Sequence, residues 1–257
     1  GIDVINPASG YLACGDIGEG KMPEPEVLLS YILRELAHEK DMKGLKVCVT
    51  AGPTRETIDP VRFISNRSTG KMGFALAKNA MERGADVTLV SGPVELKDVP
   101  FVKMVHVESA RQMFEAVTKE AETADIIVKA AAVADYRPAV VADEKIKKKD
   151  GDMSIALERT DDIIGTLGKT KRDNLFLCGF SMETEHMLEN SKAKLEKKNL
   201  DMIIANNVKV KGAGFGTDTN VVTLITKDEI KELPIMSKED VADEIFNNIL
   251  ANRKGIV

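Results

Sequence analysis

Val47–Gly73, VCVTAGPTRETIDPVRFISNRSTGKMG, runs an apolar strand into a long polar loop that ends where helical spacing begins. In a parallel sheet such a strand delivers its loop to the carboxyl edge, where the first N–H groups of the next helix lack internal acceptors and face an anion. The loop carries Thr54, Arg55, Glu56, Asp59, Arg62, Asn66, Arg67, Ser68, Thr69 and Lys71, with Gly70 and Gly73 permitting close backbone approach. Loops of this length inside a compact domain are uncommon and usually functional. Neither G-x-G-x-x-G after the strand nor G-x-x-x-x-G-K-[ST] occurs, which weighs against a standard dinucleotide fold. Each arginine taken singly reads as a solvated charge, whereas the set together reads as a polyanion site.

Outward from this loop the pattern repeats. Helical spacing over Met72–Arg83 stops at Gly84, and strands are expected at Asp86–Val90 and Phe101–Val107. Ser109 and Gln112 form a capping-box signature for a helix ending near Thr123, and strand Asp125–Lys129 follows. Before the loop, Pro25–Lys40 reads as a helix and Lys43–Gly44 breaks it ahead of strand Leu45–Thr50. After it come a helix beginning near Thr160–Asp162, strand Leu175–Phe180, helix Glu185–Lys198 and strand Met202–Ala205. Val221–Thr226 and Glu229–Ile235 read as a hairpin, and Ser237 as the cap of a last helix. Alternating strands and helices specify an α/β fold: a Rossmann-like, doubly wound, mostly parallel sheet with a C-terminal antiparallel hairpin.

The bulk properties exclude several classes. The 257 residues are 43% hydrophobic and 30% charged, as in ordinary soluble proteins, and suffice for one large domain or two small ones. A net charge of −5 without a basic face argues against wholesale nucleic-acid binding. No apolar run has membrane-spanning length and GIDVINPASG lacks the form of a signal peptide, so a cytoplasmic protein is expected. Cys14, Cys48 and Cys178 lie far apart, and His38, His106 and His186 form no H-E-x-x-H, leaving neither a disulfide framework nor a transition-metal cluster. Any metal is expected to be magnesium brought with phosphate.

Polar groups gather after four strands and are expected to converge in one crevice. Beside the first loop, Ala130–Arg137 (AAAVADYR) offers three small residues that leave space for a flat ring or pack a helix tightly, and Asp135 for a metal or a ribose hydroxyl. Glu144–Lys149 (EKIKKK) reads as a hydrated loop unless an anion orders it. Gly179–Glu183, Asn206–Asn207 and Gly212–Asn220 set glycines beside amides. Lys192, Lys194, Glu196, Lys197 and Lys198 read as a solvated helix face. These parts suit a triphosphate positioned for transfer of a phosphorus centre, which requires no activated nucleophile in the protein. Asn66 could hold a carboxylate or the oxyanion of an acyl transfer. A dinucleotide oxidoreductase of the NAD(P) type and a non-catalytic nucleotide sensor are the competing readings.

TAGPTRETIDPVRFISNRSTGKMG, AAAVADYRP, EKIKKK, GFSMET and ANNV followed by GFGTDTN, in this order, resemble the phosphopantothenoylcysteine synthetase (phosphopantothenate cysteine ligase) family of bacterial coenzyme A biosynthesis, from about Lys43 to the C-terminus. PASGYLACGDIGEGKM resembles the end of the flavin-dependent decarboxylase fused ahead of that ligase, which implies a division into residues 1–42, a decarboxylase remnant with a linker helix, and 43–257, the synthetase. The resemblance implies that the carboxylate of 4′-phosphopantothenate attacks the α-phosphorus of CTP, with Mg2+ assisting, and that the amine of cysteine then displaces CMP. On matching positions, Asn66 would handle the acyl-cytidylate and Lys145 the charge built up in forming it. Ala131 and Ala132 would lie against the nucleotide, and Asp135 would serve the metal or triphosphate. Ser68, Thr69, Gly70, Lys147, Lys148 and Phe180 would contribute phosphate and nucleotide contacts. Cys14 matches the decarboxylase's proton-donating cysteine, but without the FMN-binding body no decarboxylation is expected, and Cys14 is expected exposed in a loose tail. A homodimer with composite sites is also implied. Thr160–Asp161–Asp162 stands where relatives often carry a proline before the aspartate, which leaves the exact start of that helix open.

Overall fold

The computed structural model describes residues 4–148, 152–182, 187–206, 214 and 216–253. Its centre is an eight-stranded sheet. In chain order the strands are β1 (Lys46–Ala51), β2 (Asp86–Ser91), β3 (Lys103–His106), β4 (Ile126–Lys129), β5 (Phe176–Met182), β6 (Met202–Asn206), β7 (Val222–Thr226) and β8 (Ile230–Glu232). Across the sheet they lie β3-β2-β1-β4-β5-β6-β7-β8. β1 to β6 pair in parallel, while β7 pairs antiparallel with β6 and with β8. The expected doubly wound sheet and C-terminal hairpin are therefore present. The strand order reverses between β1 and β4, the position at which such sheets open a crevice for ligand.

The helices are α1 (Pro25–Leu36), α2 (Lys71–Glu82), α3 (Ala110–Ala121), α4 (Ile163–Lys169), α5 (Met187–Lys197) and α6 (Lys238–Asn252). Strand alternation sorts side chains into two cores. Val47, Val49, Ala51, Ile126 and Val128 join Leu76, Ala80, Ile245 and Phe246 under α2 and α6, whereas Cys48, Ile127, Leu177 and Ile203 join Met113, Val117, Ile164 and Leu195 under α3, α4 and α5. Burial pushes the Cys48 thiol up to about 12 and raises Cys178 as well, marking both as inert core residues. Helix starts follow the local chemistry. The Ser109 side chain accepts from Gln112 N and Gln112 reaches back to the N-cap backbone, while buried Glu56 accepts from Ala110 N at 2.9 Å. Asp162 caps α4 and Ser237 caps α6.

Among the described residues four short pairings accompany the sheet. Arg55–Thr57 pairs with Phe63–Ser65, so the long loop is itself a hairpin. Tyr136–Pro138 pairs with Leu157–Arg159, and Thr219–Asn220 with Met236–Ser237. Ala8–Tyr11 pairs with Ile17–Lys21, so Cys14 is exposed as expected but stands in a hairpin turn rather than a loose tail. α1 buries none of its residues, while Met42, just beyond it, is fully buried in the first core.

Candidate functional site

Between β1 and β4 the two strand-end loops are stitched together. Ala132 N donates to Gly52 O at 2.9 Å, and Ala131 N and Ala134 N donate to the hydroxyls of Thr50 and Thr54 at 3.0 Å. Asn66 joins the same seam: its Nδ2 donates to Ala132 O at 2.9 Å and its Oδ1 accepts from Ser68 N at 2.7 Å. An amide held at both ends turns the chain into α2, whose N-cap is Gly70 at φ 79°, a left-handed conformation that disfavours side chains. One turn later Gly73 packs against the strand it follows, since a Cβ there would stand 2.8 Å from Thr50 O and 2.5 Å from the Ala51 Cβ. The glycines thus let the start of α2 lie directly on the end of β1.

Two clefts flank this seam. The smaller encloses about 690 Å³ of empty space, mouth included, and is lined by Ser68–Gly73, Ala130–Ala132, Phe180–Met182, Asn206, Gly214, Asn220 and Lys238. Across its rim Lys71 Nζ bonds Asp218 Oδ1 at 2.6 Å, and Lys238 Nζ donates to the carbonyls of Gly214 and Thr217. Burial, with the nearby Lys71 charge, pushes the Lys238 ammonium down, while bonding to Lys71 lowers the Asp218 carboxyl. Asn206 Oδ1 is buried with no hydrogen-bond partner among the described residues.

The larger cleft encloses about 1220 Å³, mouth included. Asp135 and Tyr136 form one side, Arg159–Ile164 another, and Lys194 and Lys197 of α5 with Lys198 just after it a third, with Lys129, Gly179 and Phe180 among the remaining lining residues. Phe180 and the Ala130–Val133 segment separate the two clefts. Lys198 Nζ pairs with Asp162 at 2.9 Å. Burial pushes the Asp162 carboxyl up, but the Lys198 bond and the Gly165 N–H outweigh it and hold it below its ordinary value. Burial also pushes the Lys129 ammonium down to about 8, with the Lys198 charge acting in the same direction and Asp135 opposing.

The expected single crevice is therefore two. Ser68, Thr69, Gly70, Ala131 and Ala132 line the smaller cleft, Asp135 the larger, and Phe180 both. Asn66 is exposed at the seam. Lys145, Lys147 and Lys148 are exposed and line neither cleft. Their segment docks instead on the first loop: buried Asp59 accepts from Ile146 N at 3.1 Å, and Arg62 Nη2 donates to Ile146 O at 2.8 Å. Lys149, Glu183, Asn207 and residues 212–213 and 215 lie outside the described residues, as does the start of the helix expected from Glu185.

The lysines of α5 correct a sequence expectation. Lys194 and Lys197 of α5 and Lys198 just after it border the larger cleft rather than forming a purely solvated face, Lys194 and Lys198 standing three residues beyond buried Ser191 and Leu195 on the same flank of the helix. Their three- and four-residue spacing, on a helix following a strand end, was the available signal. Lys129 was also legible as a charge ending an apolar strand directly before three alanines. Among the described residues no group of three or more His, Cys, Asp or Glu side chains is placed to hold a metal. The donor set fits magnesium in its usual nucleotide-borne form, one or two carboxylates completed by phosphates and water, with Asp135 and Asp161 the carboxylates that line the larger cleft beside the Asp162–Lys198 pair.

Fold and site together define a doubly wound α/β protein with paired clefts at the switch point of its sheet. The chain belongs to the DNA/pantothenate metabolism flavoprotein C-terminal domain family, whose pattern matches residues 42–252. It is 50% identical over 97% of its length to the coenzyme A biosynthesis bifunctional protein CoaBC of Bacillus subtilis (strain 168), and it spans 62% of that relative's length. A crystal structure of the C-terminal domain of CoaBC superposes with a TM-score of 0.70 at 44% identity, covering 81% of this chain and 95% of that one. A Cab2 mutant in complex with phosphopantothenate-cysteine shares the fold, with a TM-score of 0.67 at 16% identity, covering 90% of this chain and 95% of that one. Among the described residues no helix is long and apolar enough to cross a membrane.

Proposed function

We propose that this chain is a CTP-dependent phosphopantothenate cysteine ligase acting in coenzyme A biosynthesis, with residues 43–257 as the ligase and 1–42 as the end of a decarboxylase portion plus a linker helix. One observation carries the reading: a lysine-rich cleft with Asp135 at its edge adjoins a second cleft at the α2 N-terminus, and the seam between them holds Asn66. Two substrates, one a polyanion and one an organic acid, need such adjoining compartments. The CoaBC relatives support a role in coenzyme A biosynthesis, and the ligand of the Cab2 complex supports phosphopantothenate and cysteine as substrates.

In this reading the nucleotide occupies the larger cleft, its phosphates facing Lys194, Lys197 and Lys198 and its ring against Val133, Ala134 and Phe180. Asp135 would hold magnesium, which supplies charge neutralisation at the phosphates. A carboxylate oxygen of 4′-phosphopantothenate forms a bond to the α-phosphorus as the bond to the β-phosphate oxygen breaks, and pyrophosphate leaves. The amine of cysteine then adds to the acyl carbon, and CMP departs with the former carboxylate oxygen. Asn66 Nδ2 is a fixed donor for the oxyanion of that second step, and Lys145 a cation for the first. Buried Asn206 Oδ1 offers an acceptor to a donor brought by the ligand.

The apolar side chains exposed on the two hairpins beside the seam, Val61, Phe63, Tyr136 and Leu157, support a homodimer through this region. A cytoplasmic location follows from the reaction, and FMN belongs to a decarboxylase portion, not to residues 43–257. Incubation with CTP, magnesium, 4′-phosphopantothenate and cysteine is expected to release pyrophosphate and CMP and to form the amide. Binding of CTP without turnover would make the chain a sensor, and tight NADH binding with none of CTP would make it an oxidoreductase.

A further inference from the structure

Lys129 ends β4 at the larger cleft, and no described carboxylate is bonded to it. Along β4, Ile126 and Val128 enter one core and Ile127 the other; Lys129 keeps the face of Ile127 one step further on, where core gives way to cleft. Its neighbour in register on β5 is Gly179, which adds no side chain there. The Lys129 ammonium makes no hydrogen bond and no ion pair with the described residues. Four charged groups bear on it: Lys194 from α5, Lys198 from the turn after it, Asp135 from the loop after β4, and Asp162 from the cap of α4. Asp162 is already engaged by Lys198 at 2.9 Å. A partly buried cation with no carboxylate bonded to it is costly in the free protein, and an anion arriving in the cleft reduces that cost.

We propose that Lys129 directly contacts the polyphosphate of the bound nucleoside triphosphate and so contributes to its affinity, a contact that rests on the nucleotide reading given above. Both the depressed ammonium, near 8 in the free protein, and the lack of a partner fit a group that gains its counter-charge from substrate. Phosphate contact raises the affinity of the amine for its proton. Nucleotide therefore binds most tightly below about pH 8 and progressively more weakly as pH rises through that value.

The test is calorimetric titration with CTP and magnesium from pH 7 to 9.5 on the wild-type chain and on Lys129→Met, Lys129→Gln and Lys129→Arg, with cytidine as a competitor lacking phosphate. Melting curves establish that each variant is folded, and the methionine and glutamine variants substitute for one another. The expected result is a Kd for CTP about tenfold or more weaker in either neutral variant. The alkaline weakening should be lost in both, substantially restored affinity should appear in Lys129→Arg, and cytidine binding should be unchanged. CTP affinity at the wild-type level in the neutral variants, or an equal penalty for cytidine, overturns the phosphate contact alone. A wild-type chain that binds no CTP overturns the nucleotide reading and this contact with it.

Discussion

Asn66 and Ala132 are joined across the switch point of the sheet by a side-chain to backbone hydrogen bond of 2.9 Å. The bond fixes which end of the amide is the donor, because Oδ1 is occupied by Ser68 N at 2.7 Å. Asn66→Asp sets a carboxylate oxygen against the Ala132 carbonyl and removes the donor. Amide formation is expected to fall on the order of 10²-fold, as for loss of one oxyanion donor. Pyrophosphate release with phosphopantothenate alone should fall much less. Stopped assays that time pyrophosphate and amide separately check this, and equal losses in the two steps would assign Asn66 to activation instead.

Lys145 is exposed in a segment held to the first loop at the adjacent Ile146. As a cation for the activation step, its replacement by glutamine should slow pyrophosphate release by roughly tenfold, the loss of one charge-assisted hydrogen bond. The second step, started from preformed acyl-cytidylate, should proceed at the wild-type rate. Unaltered pyrophosphate release would remove Lys145 from the reaction.

Asp59 organises that same segment. The Arg62 guanidinium holds its carboxyl well below the usual carboxylate range, against the opposing effect of burial, with the N–H groups of Val61, Ile146 and Arg62 assisting. A carboxyl whose folded value is depressed stabilises the protein above its unfolded value, roughly 3.9, and that contribution is lost as pH falls toward the folded value. Asp59→Asn should therefore reduce the acid sensitivity of melting below about pH 4 and accelerate hydrogen exchange at the Ile146 amide, whose acceptor it weakens. Unchanged exchange at Ile146 would show that the segment is held by other contacts.

The architecture was readable because strands and helices alternate with distinct periodicities, and because Ser109, Asp162 and Ser237 mark helix starts by side-chain chemistry. The short pairings at Arg55–Thr57 and Tyr136–Pro138 were not readable: three-residue strands are too brief to show a period, and their pairing depends on tertiary contact. The site was legible in its residue types but not in its division. Loop composition places Asp135 and Ser68 at the same sheet edge, while the Ala130–Val133 segment and Phe180 part them into two clefts. The lysines of α5 look solvated in sequence, since helical spacing alone does not tell which polar stripe borders a cavity.

Cys14 lies exposed in the turn of the N-terminal hairpin, its Sγ 3.8 Å from Asp16 Oδ2. It lines neither of the two clefts at the sheet edge. Cys14→Ser is expected to leave ligase turnover unchanged and to shift stability by less than about 0.5 kcal/mol, the range of ordinary surface substitutions. Steady-state rates and a melting curve check it; a loss of ligase rate would place the hairpin against the ligase site of a neighbouring copy.

Gly73 tests the close approach on which the smaller cleft depends. A Cβ at this position meets the Ala51 Cβ at 2.5 Å, Thr50 O at 2.8 Å and the Ala51 Cα at 3.0 Å, so the obstruction is mainly the backbone of β1 and has no flexible end that could swing aside. Gly73→Ala must therefore displace α2 from the sheet, at a cost of about 2 kcal/mol for overpacking, which corresponds to several degrees of melting temperature. The same displacement moves Ser68, Thr69 and Gly70 relative to Ala131 and Ala132 on the facing wall. Substrate affinity should fall even at temperatures where the variant is fully folded, because preorganised contacts tolerate little misplacement. Thermal melting together with KM for phosphopantothenate, measured well below the transition, separates the two effects. A variant that melts with the wild type and keeps its KM would mean that the start of α2 stands clear of β1 in solution.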